Sequence, residues 1–212
     1  MASPSRTALA KSLCACHCRT AAGKAPARGY AGHTHYPDEK RLYTTVRADV
    51  MSHATSSFAL PMRLLPPRRA TDLRRLYRWC HEVDAIADSD APLETRRDAL
   101  LAWQRRLAAA PENWPPPLNE LARRYALPPA AMQAVIDGML LDVEGKMCYP
   151  SRELLTHYCD CVAGQVGRLA IRIFGCETPE ADNYALALGQ LLQRVNILRD
   201  IAEDAARGRC YL

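Results

Sequence analysis

No apolar run in this 212-residue chain approaches the ~20 residues that a membrane-spanning helix needs, so no transmembrane segment is expected. No alternating apolar–polar stretch of useful length is present, which removes a sheet-based fold. A glycine-rich phosphate loop and internal repeats are also missing, which leaves no nucleotide-binding loop and no solenoid. Residues 1–37 contain no acid, but they hold Arg6, Lys11, Arg19, Lys24 and Arg28. Of the 28 Lys and Arg, the other 23 balance all 23 Asp and Glu, so the net charge of +5 belongs to this N-terminal segment. A neutral body argues against a nucleic-acid partner. A disulfide framework is absent too. Nine cysteines is an odd number, and six of them are scattered through helical-looking segments, as buried thiols in a reducing compartment are.

What is there begins with a leader. Residues 1–37 are rich in Ser, Ala and Arg, a texture shared by disordered leaders, organelle transit peptides and misassigned start codons. The run CACHC, Cys14 to Cys18, offers metal ligands, but they are crowded compared with usual zinc spacings. From about residue 38 helical periodicity dominates, over a length that suits one domain with a sizeable core. Proline-rich stretches at 60–70, 111–117, 127–131, 149–151 and 177–181 punctuate it and mark helix boundaries. The spacing predicts helices near 71–89, 93–109, 118–126, 129–146, 152–174 and 179–207. Thr178 and Pro179 read as N-cap and first helical residue, and Gly175 as a C-cap. The fold class is all-α.

Two of these helices carry acids in register. In 72–90, Leu73, Leu76, Tyr77, Cys80, Val83 and Ala87 form an apolar stripe, and Asp84 and Asp88 continue its Tyr77–Cys80 line. Carboxylates pointing inward need a partner or a cation. A rotated stripe that leaves both in solvent is equally open on that helix alone. In NILRDIAED (196–204), Asn196, Asp200 and Asp204 stand four residues apart, just over one turn, with Arg199 between them. Like charges at that spacing repel by about 0.2–0.5 kcal/mol per pair. Taken together, two all-oxygen acid sets suit Mg²⁺ bridging carboxylates to substrate phosphates, with Arg199 and Arg209 on phosphate oxygens. An apolar cavity between helices would then suit a long hydrocarbon tail.

At this point a resemblance emerges. The segments SSF and RLLPP (56–67), YRWCHEVDAIAD (77–88), IDGMLLDVE (136–144), YCDCVAGQVGRLAIRIFG (158–175) and QRVNILRDIAEDAARGRCYL (193–212) follow one another as the blocks of the squalene/phytoene synthase family do. These are the head-to-head prenyl transferases, and the similarity runs from about Thr55 to Leu212. The chain departs from the family pattern at Ala85, where a second Asp is frequent, at His81, where Arg is frequent, and at Ala59 and Leu60, where an aromatic is common.

The resemblance implies an all-α isoprenoid synthase bundle over 38–212, incomplete at its C-terminus because relatives continue with further helices. It implies condensation of two prenyl diphosphates, farnesyl diphosphate giving presqualene diphosphate or squalene, with phytoene from geranylgeranyl diphosphate as the alternative. The implied metal ligands for Mg²⁺ are Asp84, Asp88, Asn196, Asp200 and Asp204. The four aspartates share catalysis with Tyr158, which is placed for proton handling or for cation stabilisation by its ring. Without the resemblance, Tyr158 reads as a packed helix tyrosine. Substrate contacts are implied at Ser57, Phe58, Tyr77, His81, Val162, Gln193, Arg199, Arg209 and Tyr211, and NADPH is implied if squalene is the product. Gly164 and Gly167 interrupt a helix, for close approach of a substrate chain or of a neighbouring helix. The expected location is cytoplasmic, with peripheral membrane contact for product release. Import through residues 1–37 stays open. Two other classes remain: a non-catalytic family-like subunit or inactive fragment, and a plain helical scaffold with solvated acids.

Overall fold

Proline writes most of the helix starts. In the computed structural model, which describes residues 64–206 and 209–212, α1 (Pro67–Asp88), α4 (Pro129–Val143) and α7 (Pro179–Arg199) each begin on a proline, where the missing N–H costs nothing. Between them lie α2 (Leu93–Ala108), α3 (Leu118–Tyr125), α5 (Arg152–Cys159) and α6 (Gln165–Phe174), and a last short helix α8 (Ile201–Ala206) follows. Ser151 and Thr178 cap α5 and α7, their side chains accepting the N–H groups of Leu154 and Ala181 at 3.2 Å each. Gly175 ends α6 in the left-handed conformation, φ 81°. Among the described residues there is no strand, and no helix is long and apolar enough to cross a membrane. The stretches 1–37 and 38–63, with CACHC, Ser57, Phe58, Ala59 and Leu60, lie outside the described residues.

From Pro66 on the chain forms one unit. Helix α4 is its axis. It packs against α1, α2, α6 and the turn that precedes α6. The core is built from Leu76, Val83, Leu100, Leu107, Met132, Val135, Ile136, Leu169 and Ile173, all within a few per cent of full burial. Trp79 and Trp103 meet edge to face at 6.3 Å between α1 and α2. Trp79 replaces Tyr77 and Cys80, both only half-buried, as the wide member of the α1 stripe.

Two breaks depart from the expected helices. The stretch 152–174 is not one α-helix, because Asp160–Gly164 makes a π turn between α5 and α6. The stretch 179–207 is interrupted at Asp200 (φ −99°, ψ 12°). The ladder still crosses that point: the Asp200 N–H bonds the Asn196 carbonyl at 2.9 Å, and the Asp204 N–H bonds the Asp200 carbonyl at 2.8 Å.

One buried acid serves the fold. Asp72 of α1 is 1% exposed and accepts from Arg124 at 2.5 Å, Tyr125 at 2.9 Å and Arg75 at 3.3 Å, which ties α3 to α1. Burial pushes its carboxyl up, but the Arg124 and Tyr125 hydrogen bonds and the Arg124 and Arg75 charges outweigh that and hold it below the usual carboxylate range. A depressed folded-state value contributes stability that is full above about pH 4 and is lost as pH falls below that. The Asp72→Ala substitution is therefore expected to cost about 3 kcal/mol at pH 7. Urea denaturation should show most of that difference vanishing in strong acid. A penalty that persists there would mean that packing, not charge, holds α3.

Candidate active site

Three residues beyond the last helix, Arg209, Cys210 and Tyr211, tie the site together. Cys210 pairs with Cys148 in an isolated parallel bridge, and its carbonyl accepts the Tyr149 N–H at 2.7 Å. That bridge holds Arg209 and Tyr211 on either side of it. Arg209 donates to Asp88, the last residue of α1. Tyr211 stacks on Tyr158 of α5, with ring centroids 5.4 Å apart and planes 24° from parallel. Both hydroxyls donate to one carboxylate near the end of α4: Tyr158 to Asp142 Oδ2 at 2.6 Å, and Tyr211 to Asp142 Oδ1 at 2.8 Å. The two rings are buried with Met147, Cys159 and Ile197, and Val162 packs against this group.

The electrostatics show which groups share a neighbourhood. Burial raises the Asp142 carboxyl. The two phenol hydrogen bonds and the Arg209 charge oppose this without cancelling it, and Asp88 adds to it. Burial, then the Asp142 charge, pushes both phenols far above the usual tyrosine range, so both keep their hydrogens and act as donors. Burial also raises Asp204, which feels Arg209 in one direction and Asp200 and Asp142 in the other. Arg209 thus stands among Asp88, Asp142 and Asp204. Asp88, Asp142 and Arg209 line one cleft of about 600 Å³, together with Asp90 and Arg96.

Several sequence expectations change here. Asp84 and Asp88 do not continue the stripe inward; both are exposed, because the stripe rotates through Val83 and Ala87. Asp200 is paired with its own neighbour. Arg199 binds it through two hydrogen bonds of 2.7 and 2.6 Å, and these hold its carboxyl below the usual range. His81 is exposed, while Tyr77, Gln193 and Asn196 are half-buried. Gly167 and Gly164 are accounted for by packing: a Cβ on Gly167 would stand 2.7 Å from the Ala185 carbonyl oxygen, and one on Gly164 2.7 Å from Asp160 Oδ1. Tyr158 and Tyr211 do come together, as do Asp88, Asp204 and Arg209. Asp142 was missed. Its signal was a lone acid within the apolar run MLLDV.

Among the described residues, no three His, Cys, Asp or Glu side chains stand close enough to hold a metal by themselves. The donors around Arg209 are all carboxylate oxygens, and such a set fits a hard divalent cation completed by waters and phosphate oxygens.

An all-α chain whose acid-bearing helix ends gather around an arginine and a tyrosine pair has the build of an isoprenoid synthase. The sequence model of the squalene/phytoene synthase family matches residues 51–212, and the chain belongs to that family. It is 45% identical over 163 residues to a presqualene diphosphate synthase of Rhodopseudomonas palustris, covering 74% of this chain and 58% of the relative. The corresponding protein of Zymomonas mobilis is 40% identical over 171 residues, covering 78% and 59%. A phytoene synthase of Mycobacterium tuberculosis is 35% identical over 162 residues, covering 75% and 53%. The chain thus spans between 53% and 59% of the length of these relatives.

Proposed function

We propose that this chain is the acid-bearing part of a prenyl transferase that joins two farnesyl diphosphates head to head, giving presqualene diphosphate. The observation that carries this reading is the make-up of α7. Its Tyr184, Leu188, Leu191, Val195 and Leu198 form an apolar line in i+4, i+3 steps, and all five are exposed. Over the fourteen steps from Tyr184 to Leu198 that line is about 21 Å long, enough to lay out a farnesyl chain. The same helix ends in Asn196, Arg199 and Asp200. One element therefore offers a surface for the tail and polar groups for the head. The higher identity to proteins named presqualene diphosphate synthase supports the farnesyl substrate over the geranylgeranyl one.

Bound magnesium would supply positive charge to the departing diphosphate, held by Asp84, Asp88, Asn196, Asp200 and Asp204. Arg209 and Arg199 now cover Asp88 and Asp200, and they would exchange those carboxylates for phosphate oxygens once the metal takes their place.

The test is ligand stabilisation followed by product analysis. Farnesyl diphosphate with Mg²⁺ should raise the melting temperature, by a free energy of about 2.7 kcal/mol at a ligand concentration a hundred times Kd, and either alone should do much less. Leu191→Gln with Leu198→Gln should weaken that response without lowering the melting temperature of the free protein, because both side chains are already exposed. Equal stabilisation in EDTA, or an unchanged response in the double variant, would remove the reading.

A further inference from the structure

The tyrosine pair carries a feature that the proposed reaction does not yet use: both of its hydroxyl hydrogens are committed to one half-buried carboxylate at the edge of the cleft. Asp142 receives Tyr158 at 2.6 Å on one oxygen and Tyr211 at 2.8 Å on the other, and the two phenol oxygens are 3.4 Å apart. Tyr158 is 4% and Tyr211 7% exposed. With the hydrogens fixed, the remaining polar capacity of the pair is its phenol lone pairs, which can only accept. Short charge-assisted bonds of this kind also make each phenol oxygen a better acceptor, because a hydrogen leaning on a carboxylate leaves electron density behind.

From this geometry we infer that Asp142 is a positioning residue for the proton that leaves during ring closure, acting through Tyr158; the inference rests on the head-to-head reading above. When the cyclopropane closes, a C–H bond of the cation breaks, and its electron pair becomes the new ring bond. The proton passes to the Tyr158 oxygen, and the hydrogen already on that oxygen moves along the 2.6 Å bond to Asp142 Oδ2. The phenol ends neutral, the carboxylate ends as a carboxylic acid, and no further reactant is needed. Tyr211 holds the other carboxylate oxygen and, through its stack on Tyr158, fixes the ring that relays. The two phenol rings are buried, which keeps bulk water from competing at the Tyr158 oxygen, while Asp142 stands at the cleft edge.

The test separates ionisation from coupling in the full chain, with farnesyl diphosphate and Mg²⁺. Asp142→Asn can still accept a phenol hydrogen bond but cannot take up a proton at that oxygen. It should lower coupled product by about a hundredfold, with diphosphate release falling by less than about tenfold and prenyl alcohol appearing in its place. Asp142→Glu should restore part of the coupling. Tyr158→Phe should give the same loss, and its combination with Asp142→Asn should cost no more than either alone. A wild-type chain that releases no diphosphate removes the proposed function and this inference with it. A wild-type chain that couples, beside an Asp142→Asn variant with the same product ratio, removes the inference alone. A changed magnesium half-saturation in Asp142→Asn would overturn it as well, by making Asp142 a metal ligand. Should Asp142→Asn fail to fold, Tyr158→Phe decides, since it removes the relayed hydrogen and keeps the carboxylate.

Discussion

The Asp88→Asn and Asp200→Asn substitutions are each expected to lower magnesium-dependent diphosphate release by about a hundredfold. In the proposed reaction each would remove a charged oxygen ligand of the metal that takes up the charge of the departing diphosphate. A loss of about 3 kcal/mol of transition-state stabilisation corresponds to that factor. Four-residue spacing alone suggests that removing a carboxylate should also stabilise the metal-free protein by relieving repulsion. The structure points the other way. Asp88 is paired with Arg209, and Asp200 with Arg199. Both pairs are partly solvent-exposed, so screening leaves each with little net contribution to stability. The melting temperatures should therefore stay level or fall slightly. Steady-state release with the metal varied, beside thermal melts in EDTA, checks both halves. Undiminished release in the two variants would reduce these acids to solvated surface.

Gly189→Val should be the most damaging single change to the fold. Gly189 sits where α7 crosses the π turn, and a Cβ there would press on the Ala163 carbonyl and come within 2.8 Å of Gly164 Cα. Those are backbone atoms, so no side chain can rotate away. Overpacking of this kind costs about 3 kcal/mol, here with two further methyl groups to place. For a chain of this size that is a drop of roughly 6–12 °C in melting temperature. The effect should reach the site, because Gly189 with Gly167 and Ala185 forms the seam that sets the rotation of α7 about its axis. Differential scanning calorimetry of Gly189→Ala and Gly189→Val gives the comparison. A Gly189→Val protein that melts with the wild type would show that the helices stand further apart than described.

Much of the fold was legible because proline and glycine state their constraints locally. Pro67, Pro129 and Pro179 can begin a helix but not continue one, and Gly175 can take the positive φ that ends one. The π turn was not legible, since no residue of DCVAG forbids an α-helix. The break at Asp200 was hidden for a similar reason, as both hydrogen bonds that span it survive. In the site, spacing marked Asp88 and Asp204, which the structure brings near Arg209, but on α1 alone it left open whether Asp84 and Asp88 face the core or solvent, and both are exposed. Asp72 and Asp142 show why. A carboxylate drawn out of solvent, fully at Asp72 and partly at Asp142, is tolerated only through distant partners, Arg124 and Tyr125 for one, Tyr158 and Tyr211 for the other. Those pairings span 16 to 69 residues, beyond what a helical window reads.

The π turn at Asp160–Gly164 works as a phase shifter. One extra residue in a helix turns everything beyond it by about 100° relative to what precedes it. Without that step, the face of α5 that presents Tyr158 and the face of α6 that presents Gly167 would be locked to the angle of a straight helix. With it, α5 aims its tyrosine at Asp142 while α6 keeps its flat side against Ala185. The aim of Tyr158 and the fit of α6 against α7 can thus change separately. Substitutions near Tyr158 act on one rotation, those near Gly167 on the other, and the turn between them keeps the two from being traded against each other.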